Sequence, residues 1–242
     1  MNEIIIYGAF FIVAFLYASV GHGGASGYLA VMALLGFSSG VMKPTALLLN
    51  VMVSLIAFVS FYRAKHFRQQ LLWPLIAASI PFAFIGSIMP VSEALYKKIL
   101  GVVLLLSIIR LVMDSSEKPL KPGPKWYILF IIGAAIGLVS GMIGMGGGIL
   151  LSPILLLLAW SNQKQTAAIS SIFIFLNSAA GIVGQMKTGF DLSPQILVII
   201  AVVLVGGTLG AYIGAEKLKS KNMKYILASV LVLAAVKLII VK

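Results

Sequence analysis

Apolar runs of near membrane length leave this chain few ways to fold. They fall at about 4–20, 24–37, 44–62, 71–89 and 98–113, then at about 126–143, 146–160, 166–185, 194–214 and 224–241. A spanning helix takes roughly 20 apolar residues, whereas the strands of a membrane barrel alternate apolar with polar. Runs such as Leu100–Leu106 and Ile149–Leu158 do not alternate, so the segments are helical. With 61% hydrophobic and only 10% charged residues, the chain is predicted to be an all-α polytopic membrane protein. Ten short-looped segments leave no room for a soluble catalytic domain. The N-terminus, with Glu3 and no basic stretch, reads as the first membrane helix and not as a cleaved leader.

A polar, proline-containing linker at 114–125 separates two halves, 1–113 and 126–242, of five segments each. The halves match in order. Gly21-His-Gly-Gly aligns with Gly144-Met-Gly-Gly, Thr45-Ala46 with Thr166-Ala167, and Ala64-Lys65 with Met186-Lys187. Gly86 aligns with Gly210 and Lys98 with Lys224, at offsets of 121 to 126 residues throughout. Five correspondences in register indicate an internal duplication.

Lys and Arg set the orientation. Loop 63–70 (Arg63, Lys65, Arg68), the linker (Lys118, Lys121, Lys125), loop 160–165 (Lys164) and loop 215–224 (Lys217, Lys219, Lys221, Lys224) fall on one side. Lys43, Lys97, Lys98, Lys187 and Lys242 fall on the other. The richer side is assigned to the cytoplasm, which also accounts for the net charge of +12 without nucleic acid. Each half then crosses an odd number of times, so the repeats are expected to have inverted topology. Segments 1–2 and 6–7 are short, 14 to 18 residues. Each pair either crosses twice or forms a hairpin with its glycines at the tip, and the parity is the same.

Those glycines are the candidate site. Each costs a helix roughly 1 kcal/mol relative to alanine, and in lipid a loosened backbone needs partners for its polar groups. Breaks at matching places in two halves point to a transporter's substrate site. Gly21, His22, Gly23, Gly24 and Ala25 form one tip; Gly144, Met145, Gly146, Gly147 and Gly148 form the other. Backbone N–H groups there, backed by the helices expected from Ser26 and Ile149, suit an anion. Close packing through small residues is the competing reading. Thr45 and Asn50 of the third segment and Thr166, Ser170 and Ser171 of the eighth are uncharged donors that either bind an oxyanion or hydrogen-bond between helices. Ser54, Ser60, Asn177, Ser178 and Gln185 read as packing groups, and Arg110 and Lys237 as snorkelling cations.

The six acids, Glu3, Glu93, Asp114, Glu117, Asp191 and Glu216, all lie at segment ends or in loops, against the buried carboxylate usual in cation carriers. His22 is the one titratable group near a tip able to cycle a proton near neutral pH, although a hydrogen-bonded packing histidine is the commoner case. With no cysteine and only His66 besides His22, Met142 and Met145 do not make a soft-metal path. No nucleotide loop, catalytic triad or carboxylate pair is present, and no cofactor or enzymatic activity is expected.

At these residues the chain resembles the TauE/SafE family of membrane permeases, over essentially its whole length. Gly141-Met-Ile-Gly-Met-Gly-Gly-Gly-Ile-Leu-Leu-Ser-Pro153 is similar to the family's glycine signature. Thr166–Ser171 resembles the start of the next helix, and Gly189-Phe190-Asp191 the turn before the one after. The first half departs, with Ala25 and Ser26 in place of glycine and Ala30 where Pro153 would align. The resemblance implies export or uptake of small sulfur-containing anions such as sulfite and sulfonates. The inverted repeats and glycine tips lead to the expectation of alternating access, one half rocking against the other, in a bacterial or archaeal cytoplasmic membrane. A passive anion channel, a carrier of neutral or cationic metabolites and a membrane scaffold are the rival readings. Import versus export, the coupling ion and homo-oligomer formation are left open.

Overall fold

The structure is a computed structural model that describes residues 3–37, 39–92, 119–189, 192 and 195–219, with positions 222, 225, 226 and 229. These residues form helices without strands: α1 (Glu3–Ser19), α2 (Ala25–Leu34), α3 (Ser39–Arg63), α4 (Gln69–Ile88), α5 (Trp126–Ile143), α6 (Gly148–Leu157), α7 (Gln163–Thr188) and α8 (Ile196–Tyr212). A π-helical turn, Ile213–Lys217, extends α8. Five helical stretches are long and apolar enough to cross a membrane: 40–63, 69–88, 126–143, 163–187 and 196–217. Segment 5 and all of segment 10 but positions 225, 226 and 229, with Lys97, Lys98, Arg110, Lys118, Lys221, Lys224, Lys237, Lys242, Glu93, Asp114, Glu117 and Asp191, lie outside the described residues.

The burial pattern suits a hydrocarbon solvent. Large apolar side chains face outward, among them Ile4, Ile131 and Leu197, while Ser54, Ser170, Asn177 and Ser178 are buried. In lipid, apolar surface does not drive helices together, so packing and internal hydrogen bonds must. Glycines supply the packing. On α5, Gly133, Gly137 and Gly141 lie against the backbone of Leu75, Ser79 and Ala83 on α4, with no room for a Cβ. On α8 and its π turn, Gly206, Gly210 and Gly214 lie likewise against Phe11, Phe15 and Ser19 of α1. Gly86 and Gly210, aligned from sequence, do the same task against Leu138 and Phe15.

The core follows this exchange. One buried cluster joins α1, α2 and α3 with α8 and takes in Ile143, Met145, Ile149, Ala167 and Ala168 of the second half; the other joins α5, α6 and α7 with α4. Between them α3 packs along α7.

Two ends can be told apart by their contacts. At one, Arg68 donates to Trp160 O (3.0 Å), Lys121 N–H to Ala159 O (2.8 Å) and Lys164 to Ala215 O (3.0 Å). The four loops expected on the basic side therefore meet at one end. At the other, Lys43 donates to Ser87 O (3.1 Å) and Lys187 lies over the Phe84 ring.

The bond from Lys121 to Ala159 joins the chain just before α5 to the chain just after α6. The sixth and seventh segments thus enter and leave at the basic end. The seventh could not cross in any case: α6 has 10 residues, about 15 Å of helix against about 30 Å of hydrocarbon. The same limit holds for α2, also of 10 residues. Both short helices begin one residue earlier than expected, at Ala25 and Gly148. Conversely α3 and α7 run longer than their apolar cores. α7 gains its first turn from a capping box, in which Asn162 accepts from Gln165 N–H and Gln165 returns the bond.

Candidate substrate site

Both glycine tips are built alike. α1 ends where Gly21 turns left-handed (φ +76), letting His22 N–H reach Tyr17 O (2.8 Å) and Gly21 N–H reach Ala18 O (3.0 Å). α5 ends at Gly144 (φ +79), with Gly144 and Met145 N–H both bonded to Ser140 O (2.8 and 3.2 Å). Such a left-handed cap stops a helix at little cost only if it is glycine. Positive φ recurs at Gly24 and Gly147, and additionally at Gly146 but not at its counterpart Gly23, and the short helices restart at once. The same separation of 123 residues relates Gly36 to Ala159, both of positive φ, beyond the ends of α2 and α6.

The tips come together, and Asn50 is the joint. It sits midway along α3, buried. Its Oδ1 accepts from Ala25 N–H at the first tip (3.0 Å). Its Nδ2 donates to Met145 O at the second tip and to Ser178 Oγ on α7 (3.2 Å each). Gly23 and Gly146 lie so close to this amide that a Cβ on either would strike it. Asn50 is therefore a crosslink between the tips in this conformation, not a free donor.

A second bridge runs through His22. Its ring lies against Gly148, and Nε2 is 3.2 Å from Ser152 Oγ, itself 2.8 Å from Ser170 Oγ on α7. Nδ1 is 3.1 Å from Val20 O. Ser152 was not singled out from sequence, although it is the one polar residue in the run 149–158.

The other expected donors have distinct surroundings. Ser171 donates to Ala168 O of its own helix (2.9 Å), and Thr166 pairs with Ser161 (2.6 Å). Thr45 Oγ1 is buried without a partner, because Gly40 stands where Ser161 serves Thr166. The first tip also carries hydroxyls that sequence reading passed over. Tyr17 OH pairs with Ser26 Oγ (2.6 Å), closing α1 onto α2. Tyr28, stacked on Phe10, turns its ring back over Gly24 and leaves its buried OH unpaired. Tyrosines look like core residues in a linear sequence; only the fold shows the hydroxyl at a helix break.

The centre is thus rich in hydroxyl, amide and backbone donors, and among the described residues no carboxylate is buried there. Such a set accepts negative charge or a neutral polar solute. Among the described residues it holds no carboxylate to balance a bound cation.

The sequence model of the family described as "Sulfite exporter TauE/SafE" matches residues 6–238. The chain is 35% identical over 236 residues to "Probable membrane transporter protein y4hK" of Sinorhizobium fredii, covering 96% of each. It is 27% identical to "Probable membrane transporter protein YjnA" of Bacillus subtilis, covering 98% of this chain and 99% of the relative. A relative from the archaeon Methanocaldococcus jannaschii, "Probable membrane transporter protein MJ0441", is 24% identical over 77% of this chain and 74% of its own.

Proposed function

The chain belongs to the TauE/SafE family of integral membrane transporters, and we propose that it is a permease for small anions of the sulfite and sulfonate class. One observation carries the reading: two glycine breaks, one in each half of the chain, meet at the Asn50 amide in a centre of uncharged donors. The substrate site comprises the two tips, Gly21–Ala25 and Gly144–Gly148, with Thr45, Asn50, Thr166, Ser170 and Ser171 around them. An anion entering there takes over backbone N–H groups and the positive ends of α2 and α6.

The two halves, 1–113 and 126–242, act as inverted repeats. Three observations support this. α5 and α6 enter from the basic end, and the Gly144 tip lies against Lys43, which reaches Ser87 at the other end. α1 runs alongside α8 so that Ser19, just before the first tip, meets Gly214 beside the basic end. The first hairpin therefore enters from the side opposite the second. Alternating access then exchanges the bonds that hold the tips, opening one hairpin while the other stays closed.

Counterflow in proteoliposomes tests the reading. Vesicles loaded with unlabelled sulfite or methanesulfonate receive the labelled anion outside. Accelerated, saturable uptake identifies a carrier. Equal uptake with and without internal anion identifies a passive pore, and no uptake of either anion removes this substrate class.

A further inference from the structure

We propose that His22 is the proton-coupling site of this permease, binding a proton together with the substrate anion so that the two cross the membrane as a pair. The proposal rests on the permease reading and adds the coupling ion to it.

The hydrogen bonds fix the direction of the chain at His22. A carbonyl only accepts, so the contact with Val20 O requires that Nδ1 carry the hydrogen. In the neutral ring with its hydrogen on Nδ1, Nε2 is bare and Ser152 donates to it, while the Gly148 carbonyl beside the ring awaits a hydrogen. Ser152 has spent its hydrogen, so Ser170 must donate to Ser152. The resting order is Ser170 to Ser152 to His22. A proton arriving at Nε2 makes that nitrogen a donor. Ser152 must then accept from His22 and donate to Ser170, whose own hydrogen has to find another acceptor. One proton reverses every link between the first tip, α6 and α7.

The surroundings decide what stabilises that proton. The ring is met by Val20 of its own tip and by Gly148 and Ser152 of the second hairpin, with Ser170 of α7 behind. The Val20 and Gly148 carbonyls accept hydrogen bonds from the ring, but none of these groups is ionisable and among the described residues no charged side chain faces it. An unbalanced imidazolium buried there is costly. An anion held by the same two tips supplies the missing countercharge. Each of the two therefore raises the affinity for the other, and by linkage the effect is reciprocal. Asn50 and the serines could hold an anion without His22. What they cannot do is make that binding depend on pH.

Methanesulfonate is a suitable probe because it stays a monoanion over the working range, so any proton moved belongs to the protein. Wild-type vesicles showing counterflow should also accumulate it toward the acidic-to-alkaline direction of a pH gradient, approaching about tenfold per pH unit for one proton per anion. Clamping the membrane potential should not change that limit, since the pair carries no net charge. The chain has only two histidines, so H66Q leaves His22 as the single imidazole. Histidine 15N NMR of H66Q should show one protonated and one bare nitrogen without anion. Saturating methanesulfonate should turn both into N–H. Counterflow without pH-driven accumulation, or a ring that stays neutral when the anion is bound, overturns the proposal and leaves the permease standing. Absence of wild-type counterflow overturns both.

Discussion

The side-chain amide of Asn50 donates to the main-chain carbonyl of Met145 at 3.2 Å, across the boundary between the two halves of the chain. The same amide group caps the first helical N–H of α2 at Ala25. One short side chain thus satisfies a donor at one break and an acceptor at the other, both of which would otherwise be buried and unpaired.

Removing that crosslink should cost stability as well as transport. N50A leaves the Ala25 N–H and the Met145 carbonyl without this partner, and each such group costs about 1–3 kcal/mol. N50D keeps the acceptor for Ala25 but loses both donors and places a negative charge where the anion belongs. Thermal unfolding of the purified variants should show N50A well below wild type, and N50D should lose counterflow more completely than N50A. A melting temperature for N50A equal to wild type would sink the crosslink.

Glycine at the tips is held there by crowding in addition to backbone angle, and the structure contains its own control. Gly36 has φ +74 with nothing within 4 Å of an added Cβ, and its counterpart is Ala159 at φ 56. Gly147 has φ +82, and a Cβ there would come within 2.8 Å of Ile136 and 2.9 Å of Phe173. G36A should cost about 1 kcal/mol and spare transport. G147L should abolish transport while the protein still reaches the membrane and elutes as a folded species. Counterflow in G147L at half the wild-type rate or better would show that the second tip is not part of the path.

Much of this arrangement is legible in the sequence, and the reasons are physical. Helical segments declare themselves because lipid demands unbroken apolar runs, and the bounds of α5 are those of its run, 126–143. The tips are legible because Gly144-Met-Gly-Gly repeats Gly21-His-Gly-Gly in register. Partnership is not legible. Asn50 reads as one polar residue among several on its helix, and only the approach of two distant hairpins makes it a bridge. Ser171 looks equivalent to Ser170, yet one turns back onto Ala168 and the other reaches Ser152. Adjacent residues on a helix point about 100° apart, so the choice between them belongs to the packing.

Tyr28 should separate stability from binding. Its hydroxyl is fully buried over Gly24 with no partner, so Y28F removes an uncompensated polar group and keeps the ring stacked on Phe10. The unliganded variant should melt at or above the wild-type temperature, with a gain of about 1 kcal/mol. If the hydroxyl serves the anion, half-saturation for counterflow should rise severalfold in the same variant. Lower stability with unchanged half-saturation would instead make Tyr28 a structural residue.

His66 gives the basic end its own pH dependence. Partial burial lowers its pKa below the usual histidine value, and the nearby Lys164 adds to the effect. A bond to the Ala215 carbonyl and the charge of Glu216 oppose them. The folded protein therefore binds a proton at His66 less readily than the unfolded chain. Its contribution to stability is complete above the unfolded value, near 6.5, and is lost as pH falls through the window below it. Protonation sets a second cation beside Lys164, whose ammonium holds the π turn through Ala215 O. An NMR titration should place the His66 midpoint below that of a free histidine. K164Q should move it up and E216Q should move it down. A midpoint that neither variant shifts would mean that His66 does not sense the contact between α7 and the end of α8.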